Sequence, residues 1–205
     1  MTPITLLRCA QNNIATKTFA FSETGFVKVR DYDAGMWFSY DKLLVENIFE
    51  LSQLLTYIEY RQDTFIVRGQ LIQGFDPKCC RRILNVQEDG SPPQFEDVPG
   101  GIHWLSVDCD KIPLPPVINA VTNPEAAIRY LLSLLPPILQ GVTVHWQLSC
   151  SFGLLGSDTI SAHLWFWSDR PLSSFELKTW GVRYNEQTQG FFICKLKNQV
   201  DLKCG

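Results

Sequence analysis

Two aspartates one residue apart close the run HWLSVDCDK, at Asp108 and Asp110. The run reads as a strand over 103–110, and side chains two apart on a strand point to the same face. Cys109 then faces the other way, and the two carboxylates stand side by side. Bare carboxylates that close repel each other, and one tends to keep a proton. A hard divalent cation, Mg²⁺ or Mn²⁺, removes the conflict by taking carboxylate oxygens while leaving positions for water and phosphate. The pattern therefore points to metal-assisted chemistry on phosphates. Two solvated aspartates at a strand end are the ordinary alternative, because the pair recurs by chance.

Further side chains suit the same chemistry. Ser161 and His163 open the run SAHLWFW and share a strand face by the same period of two. His163 would offer a donor to a phosphate, against the alternative of a satisfied structural histidine. Ser149 and Ser151 lead into a glycine-containing segment, Gly153 to Gly156, whose hydroxyls and backbone N–H groups suit phosphate oxygens. Lys111 directly follows the aspartate pair. Arg68, Lys78, Arg81 and Arg82 group around a turn-rich region, where they could meet the phosphates of a nucleic-acid strand. Lys78 reads better as part of a solvated loop. Arg81 and Arg82 could equally pair with Glu88, Asp89, Glu96 and Asp97 at the surface.

These residues need elements to position them. Residues 17–38 alternate apolar and polar and read as a hairpin turning near Glu23-Thr24-Gly25. Apolar positions Val45, Ile48, Phe49, Leu51, Leu54, Leu55 and Ile58 predict an amphipathic helix over 45–60. A short buried strand, 64–68, stops at Gly69. Residues 73–100 are rich in turn formers and read as a surface region, the seam between two halves at 1–98 and 99–205. Beyond the aspartate strand, Asn123-Pro124-Glu125 opens a helix with Asn as cap and Pro in the first turn. Strands are predicted over 142–151 and 160–168, a helix over 173–187 capped by Ser173 or Ser174, and a short strand in the tail 191–205. The order β-α-β-β-α-β from residue 102 is a split βαβ, ferredoxin-like plan packed on an N-terminal α/β half. In that plan the strands bearing Asp108 and His163 are the central pair. The fold class is α+β.

Composition narrows the class. The chain has 205 residues, 45% hydrophobic and 19% charged, and a net charge of −3. That balance gives no global basic footprint, so any nucleic-acid contact must be local. Seven cysteines, an odd number with no C-x-x-C, disfavour a disulfide framework. Three scattered histidines make a zinc site a poor reading. Reduced thiols, the absence of a signal-like start and the interruption of the apolar run 130–139 by Pro136-Pro137 lead us to expect a cytoplasmic protein with no membrane partner.

The aspartate pair in VDCD, the later SAH and the stretch QLSCSFGLLGSDTISAHLWFWSDRPLSSFELKTW together resemble the archaeo-eukaryotic primase superfamily, the primase-polymerases. The likeness is to the catalytic domains of bacterial plasmid and phage replication primases, and covers residues 100–182. It implies an RRM-like catalytic half and a metal-dependent nucleotidyl transferase that joins nucleoside triphosphates on single-stranded DNA. Under it, Asp108 and Asp110 bind two Mg²⁺ or Mn²⁺ ions with a third carboxylate, Asp201, or alternatively Asp169. His163, helped by Ser149, Ser151, Ser161 and Lys111, holds the triphosphate. Arg68, Arg81 and Arg82 become template contacts, and a replicative helicase a further partner. Family members usually continue past the third carboxylate, so the chain reads as a fragment or a truncated product. The alternative is a primase-like nucleic-acid-binding module with incomplete chemistry. A plain ferredoxin-like structural domain would need the motifs to coincide by accident.

Overall fold

The computed structural model describes residues 1–23, 25–154 and 156–187. It is a mixed α+β fold with three helices and several antiparallel sheets among those residues. No helix there is long and apolar enough to cross a membrane.

The first sheet centres on a strand not foreseen in the sequence, β1 (Thr2–Cys9). Its sequence, TPITLLRC, lacks a clean alternation because both faces of the strand are covered. The hairpin strands β2 (Thr18–Ser22) and β3 (Gly25–Arg30) form where expected, but as a separate two-stranded ribbon. Strand β4 (Phe38–Val45) and strand β5 (Thr64–Val67) flank β1, both antiparallel to it.

Between β4 and β5 lies helix α1 (Ile48–Glu59). Asn47 Oδ1 accepts from the N–H groups of Phe49 and Glu50, both at 3.0 Å, satisfying donors the first turn leaves open. Ile48, Leu51, Leu55 and Ile58 make its buried face. The short strands β6 (Gln70–Leu71) and β7 (Phe95–Glu96) pair with each other. The region between them is less superficial than its composition suggests. Cys80, Ile83 and Phe95 are buried, the first and last packing with Phe38, Phe65 and Val67 on the outer face of the first sheet.

The second sheet holds β8 (Ile102–Pro113), β9 (His145–Leu148) and β10 (Thr159–Leu172), in the order β8-β10-β9. β10 is antiparallel to both neighbours, so β8 and β9 run parallel around it. Helix α2 (Pro124–Ser133) joins those two, the arrangement of a split βαβ unit. Asn123 Oδ1 accepts from Ala126 N–H at 3.0 Å and Pro124 occupies the first turn, as the sequence predicts. The strand expected over 142–151 is shorter, because the chain turns at Ser149, whose carbonyl accepts from Phe152 N–H. Helix α3 (Ser174–Gln187) follows β10 at once. Ser173 Oγ accepts from Glu176 N–H, and the Glu176 carboxylate accepts from Ser173 N–H at 2.8 Å, a reciprocal cap. Those bonds and Arg170 pull the Glu176 carboxyl down to about 2.

One face of the second sheet packs Leu105, Val107, Leu164 and Phe166 against Ile128 and Leu131 of α2. The other offers Ile102, Trp104 and Trp165 to Leu51, Leu55 and Ile58 of α1, which also touch Ile4 and Ile66. Helix α1 is therefore a shared middle layer, and the halves divided near residue 98 share one core. Arg68 clamps the junction. It is 7% exposed, and its guanidinium donates to the carbonyls of Trp104, Ile102 and Leu172. Burial pushes it down to about 10 despite Asp97 and Glu176 nearby.

Candidate active site

Period two along β8 sends Ile102, Trp104, Ser106, Asp108 and Asp110 to the α1 side of the sheet. The first two lie beneath α1, and Asp110 is exposed beyond it. The same period along β10 sends Trp165, His163 and Ser161 to that face. The register sets His163 directly opposite Asp108. His163 Nδ1 lies 3.1 Å from Asp108 Oδ1, with the His163 side chain 11% and the Asp108 side chain 20% exposed. On the other flank Gln147 of β9 stands opposite His163, buried, its side-chain nitrogen 3.5 Å from the Leu55 carbonyl.

Beyond this pair the register breaks. Ile160 pairs with Ile112 and Ala162 with Cys109, so Ser161 faces two residues, Asp110 and Lys111. This is a β-bulge. Lys111 takes a φ of 53°, left-handed backbone that costs a residue with a Cβ. The Ser161 hydroxyl accepts from Lys111 N–H at 2.8 Å and donates to Asp110 Oδ1 at 2.9 Å. One side chain thus fixes both the strained turn and the second carboxylate. The bulge aims Lys111 into a small depression lined also by Ser151, Gly153, Gly156 and Ser161. Ser149 N–H donates to the Ser161 carbonyl, and its hydroxyl lies 3.3 Å from that of Ser151.

Most of the residues singled out in the sequence are therefore neighbours. Asp108, Asp110, His163, Ser161, Lys111, Ser151 and Ser149 gather at one end of one sheet face. Other candidates lie elsewhere. Asp201 is outside the described residues. Asp169 is exposed, past Trp167 in the stretch where β10 breaks register with β8, at the opposite end of the strand from Ser161. Arg68 is not available to a template phosphate, being buried against backbone carbonyls. Arg82 sits over the Phe65 ring, and Arg81 donates to Ser91 Oγ at 3.1 Å beside Asp89. Both belong to the outer face of the first sheet, which stands between them and the carboxylates.

Gln147 and the bulge escaped sequence reasoning. Gln147 had a usable signal, since it lies between His145 and Ser149 at a spacing of two on one strand. The bulge had none, because Lys111 carries no mark of a positive φ.

Asp108 and Asp110 supply hard oxygens on one strand face, a donor set suited to Mg²⁺ or Mn²⁺. Among the described residues no three His, Cys, Asp or Glu side chains are grouped as a metal cage. Compared with known families, curated proteins and solved structures, the chain matches no family model, no curated protein and no solved structure.

Proposed function

We propose that this chain is the catalytic core of a DNA primase-polymerase, joining nucleoside triphosphates on a single-stranded DNA template. One observation carries the reading. The two sequence motifs, far apart in the chain, meet in a single register, with Asp108 opposite His163 and Asp110 bonded to Ser161. The split βαβ order β8-β10-β9 supports an RRM-like catalytic half of the primase kind.

Asp108 and Asp110 would hold Mg²⁺ or Mn²⁺, with Asp201 as the proposed third carboxylate. When bound, such ions polarise phosphate and make a 3′-hydroxyl more acidic. The chain's own residues do the rest. His163, oriented by Asp108, donates to a triphosphate oxygen. The Lys111 ammonium and the Ser151 hydroxyl receive the remaining phosphates at the depression. Ser161 keeps Asp110 and the Lys111 turn in place.

The test is titration of Mn²⁺ into the protein with a labelled nucleoside triphosphate, for the native chain and Asp108→Ala. Metal-dependent nucleotide binding that disappears in the variant is expected. Its absence from the native chain overturns the proposal. Single-strand binding that persists without it would favour a nucleic-acid-binding module instead.

A further inference from the structure

The β2–β3 hairpin takes no part in that site. Among the described residues its strands pair only with each other, and a two-stranded ribbon alone is marginal in water. Phe21 and Phe26 nevertheless stand 78% and 59% exposed, an arrangement that covering the ribbon would stabilise. The register sets Phe21 opposite Phe26 and Phe19 opposite Lys28, so these four share one face. The Phe21 and Phe26 rings meet edge to face, centroids 5.4 Å apart. Lys28 Nζ lies 2.7 Å from Asp31, and Arg30 donates to the Asn12 carbonyl at the root. Lys17, Lys28 and Arg30 against Glu23 and Asp31 give residues 17–31 a charge of +1, in a chain of −3.

The arm is rooted on the outer face of the first sheet, where Ala15, Tyr32 and Ala34 join Phe38 and Phe65, at the level along the strands where the carboxylates emerge on the other side. Ser52 meets His145 and the Leu55 carbonyl meets Gln147, so α1 runs alongside β9 in the direction of β8. The turn after α1 is thus at the Asp108–Lys111 end. There Asp63 and Gln62 carbonyls accept from Cys9 and Ala15 N–H, both at 2.7 Å, anchoring the segment that leads into β2. The start of β1 is consistent with this, since Pro3 accepts from Trp104 at the opposite end.

We infer that the hairpin is a single-strand-binding arm, on which Phe21 and Phe26 stack against unpaired DNA bases while Lys28, on the same face, and Lys17, at its root, meet phosphates. Charge complementarity selects this occupant. Protein-interface cores exclude lysine, whereas exposed rings interleaved with cations match a strand of π-faces and anions. That the strand is a template rests on the primase-polymerase reading, but the binding itself does not.

The experiment measures anisotropy of a short labelled oligo(dT) with the full chain in EDTA, without nucleotide. Phe21→Ala/Phe26→Ala is expected to weaken binding about tenfold or more. Lys28→Ala should make log affinity against log salt shallower by about 0.7. Phe175→Ala, an equally exposed phenylalanine outside the arm, is the comparator and should bind as the native chain does. Native affinity in the double variant overturns the proposal. So does a sedimenting dimer that the double variant reduces to monomer, which would make a second copy the occupant. Crosslinking with a bromodeoxyuridine oligonucleotide gives a reading that needs no variant. Crosslinks in residues 17–31 are expected, and crosslinks confined elsewhere overturn it. If arm-dependent binding stands while metal-dependent nucleotide binding fails, only the catalytic reading falls. The reverse result removes only the arm.

Discussion

His163 stands directly across β8 and β10 from Asp108, its Nδ1 3.1 Å from Oδ1. The pair is held by strand register and by burial under the end of α1, so it exists before any ligand arrives. His163→Ala should weaken metal-dependent nucleotide binding by roughly 10- to 100-fold, the worth of one hydrogen bond to a charged group. Metal affinity measured without nucleotide should change much less. Native nucleotide affinity in the variant would remove His163 from the phosphate role.

The bulge makes two opposed predictions. Lys111 at φ 53° is strained, and glycine adopts that backbone without penalty. Lys111→Gly should therefore raise the urea midpoint at unchanged slope, a gain of about 1 kcal/mol in unfolding free energy, while nucleotide binding falls with the lost cation. Ser161→Ala removes both bonds that pin the bulge and should lower stability by about 1–2 kcal/mol as well as weakening nucleotide binding. A Lys111→Gly protein less stable than the native chain would show that the strain is absent.

Arg68 sits where sequence grouping suggests a template contact and structure shows a clamp. Replacing it with methionine leaves buried carbonyls of Trp104 and Leu172 without their donor. A loss of about 3 kcal/mol in chemical denaturation is expected, with single-strand affinity of the folded protein unchanged. A variant of native stability that bound DNA poorly would return Arg68 to the nucleic-acid surface.

What the sequence discloses depends on range. Period two placed Asp108 beside Asp110 and Ser161 beside His163, because strand geometry is local. Asn123-Pro124-Glu125 announced α2 for the same reason. The union of the two motifs needed the pairing of β8 with β10, which the β-α-β-β-α-β order anticipated. Long-range burial was not legible. Arg68 looked like a surface cation because nothing near it in sequence reveals three acceptors on distant strands. Asp169 looked close to His163 by count, yet it lies past Trp167, where β10 breaks register with β8, at the opposite end of the strand from Ser161. β1 was missed because strands covered on both faces lose the alternation that marks them.

His145 gives the fold a pH dependence of definite sign. Its ring lies under α1, Nδ1 2.8 Å from Ser52 Oγ, with Trp165 opposite on β10. Nε2 is buried and has no hydrogen-bond partner among the described residues. Burial lowers its pKa below the ordinary 6.5. The folded protein thus binds a proton there less readily than the unfolded chain does. The unfolded state gains protons first as pH falls, so this contribution to stability is complete above about pH 6.5 and declines below it. Urea midpoints measured from pH 8 to pH 5.5 should fall over the lower part of that range. His145→Gln keeps a polar group near Ser52 but cannot titrate, and its midpoint should fall less steeply. Equal slopes for the two proteins would show that the ring titrates alike folded and unfolded.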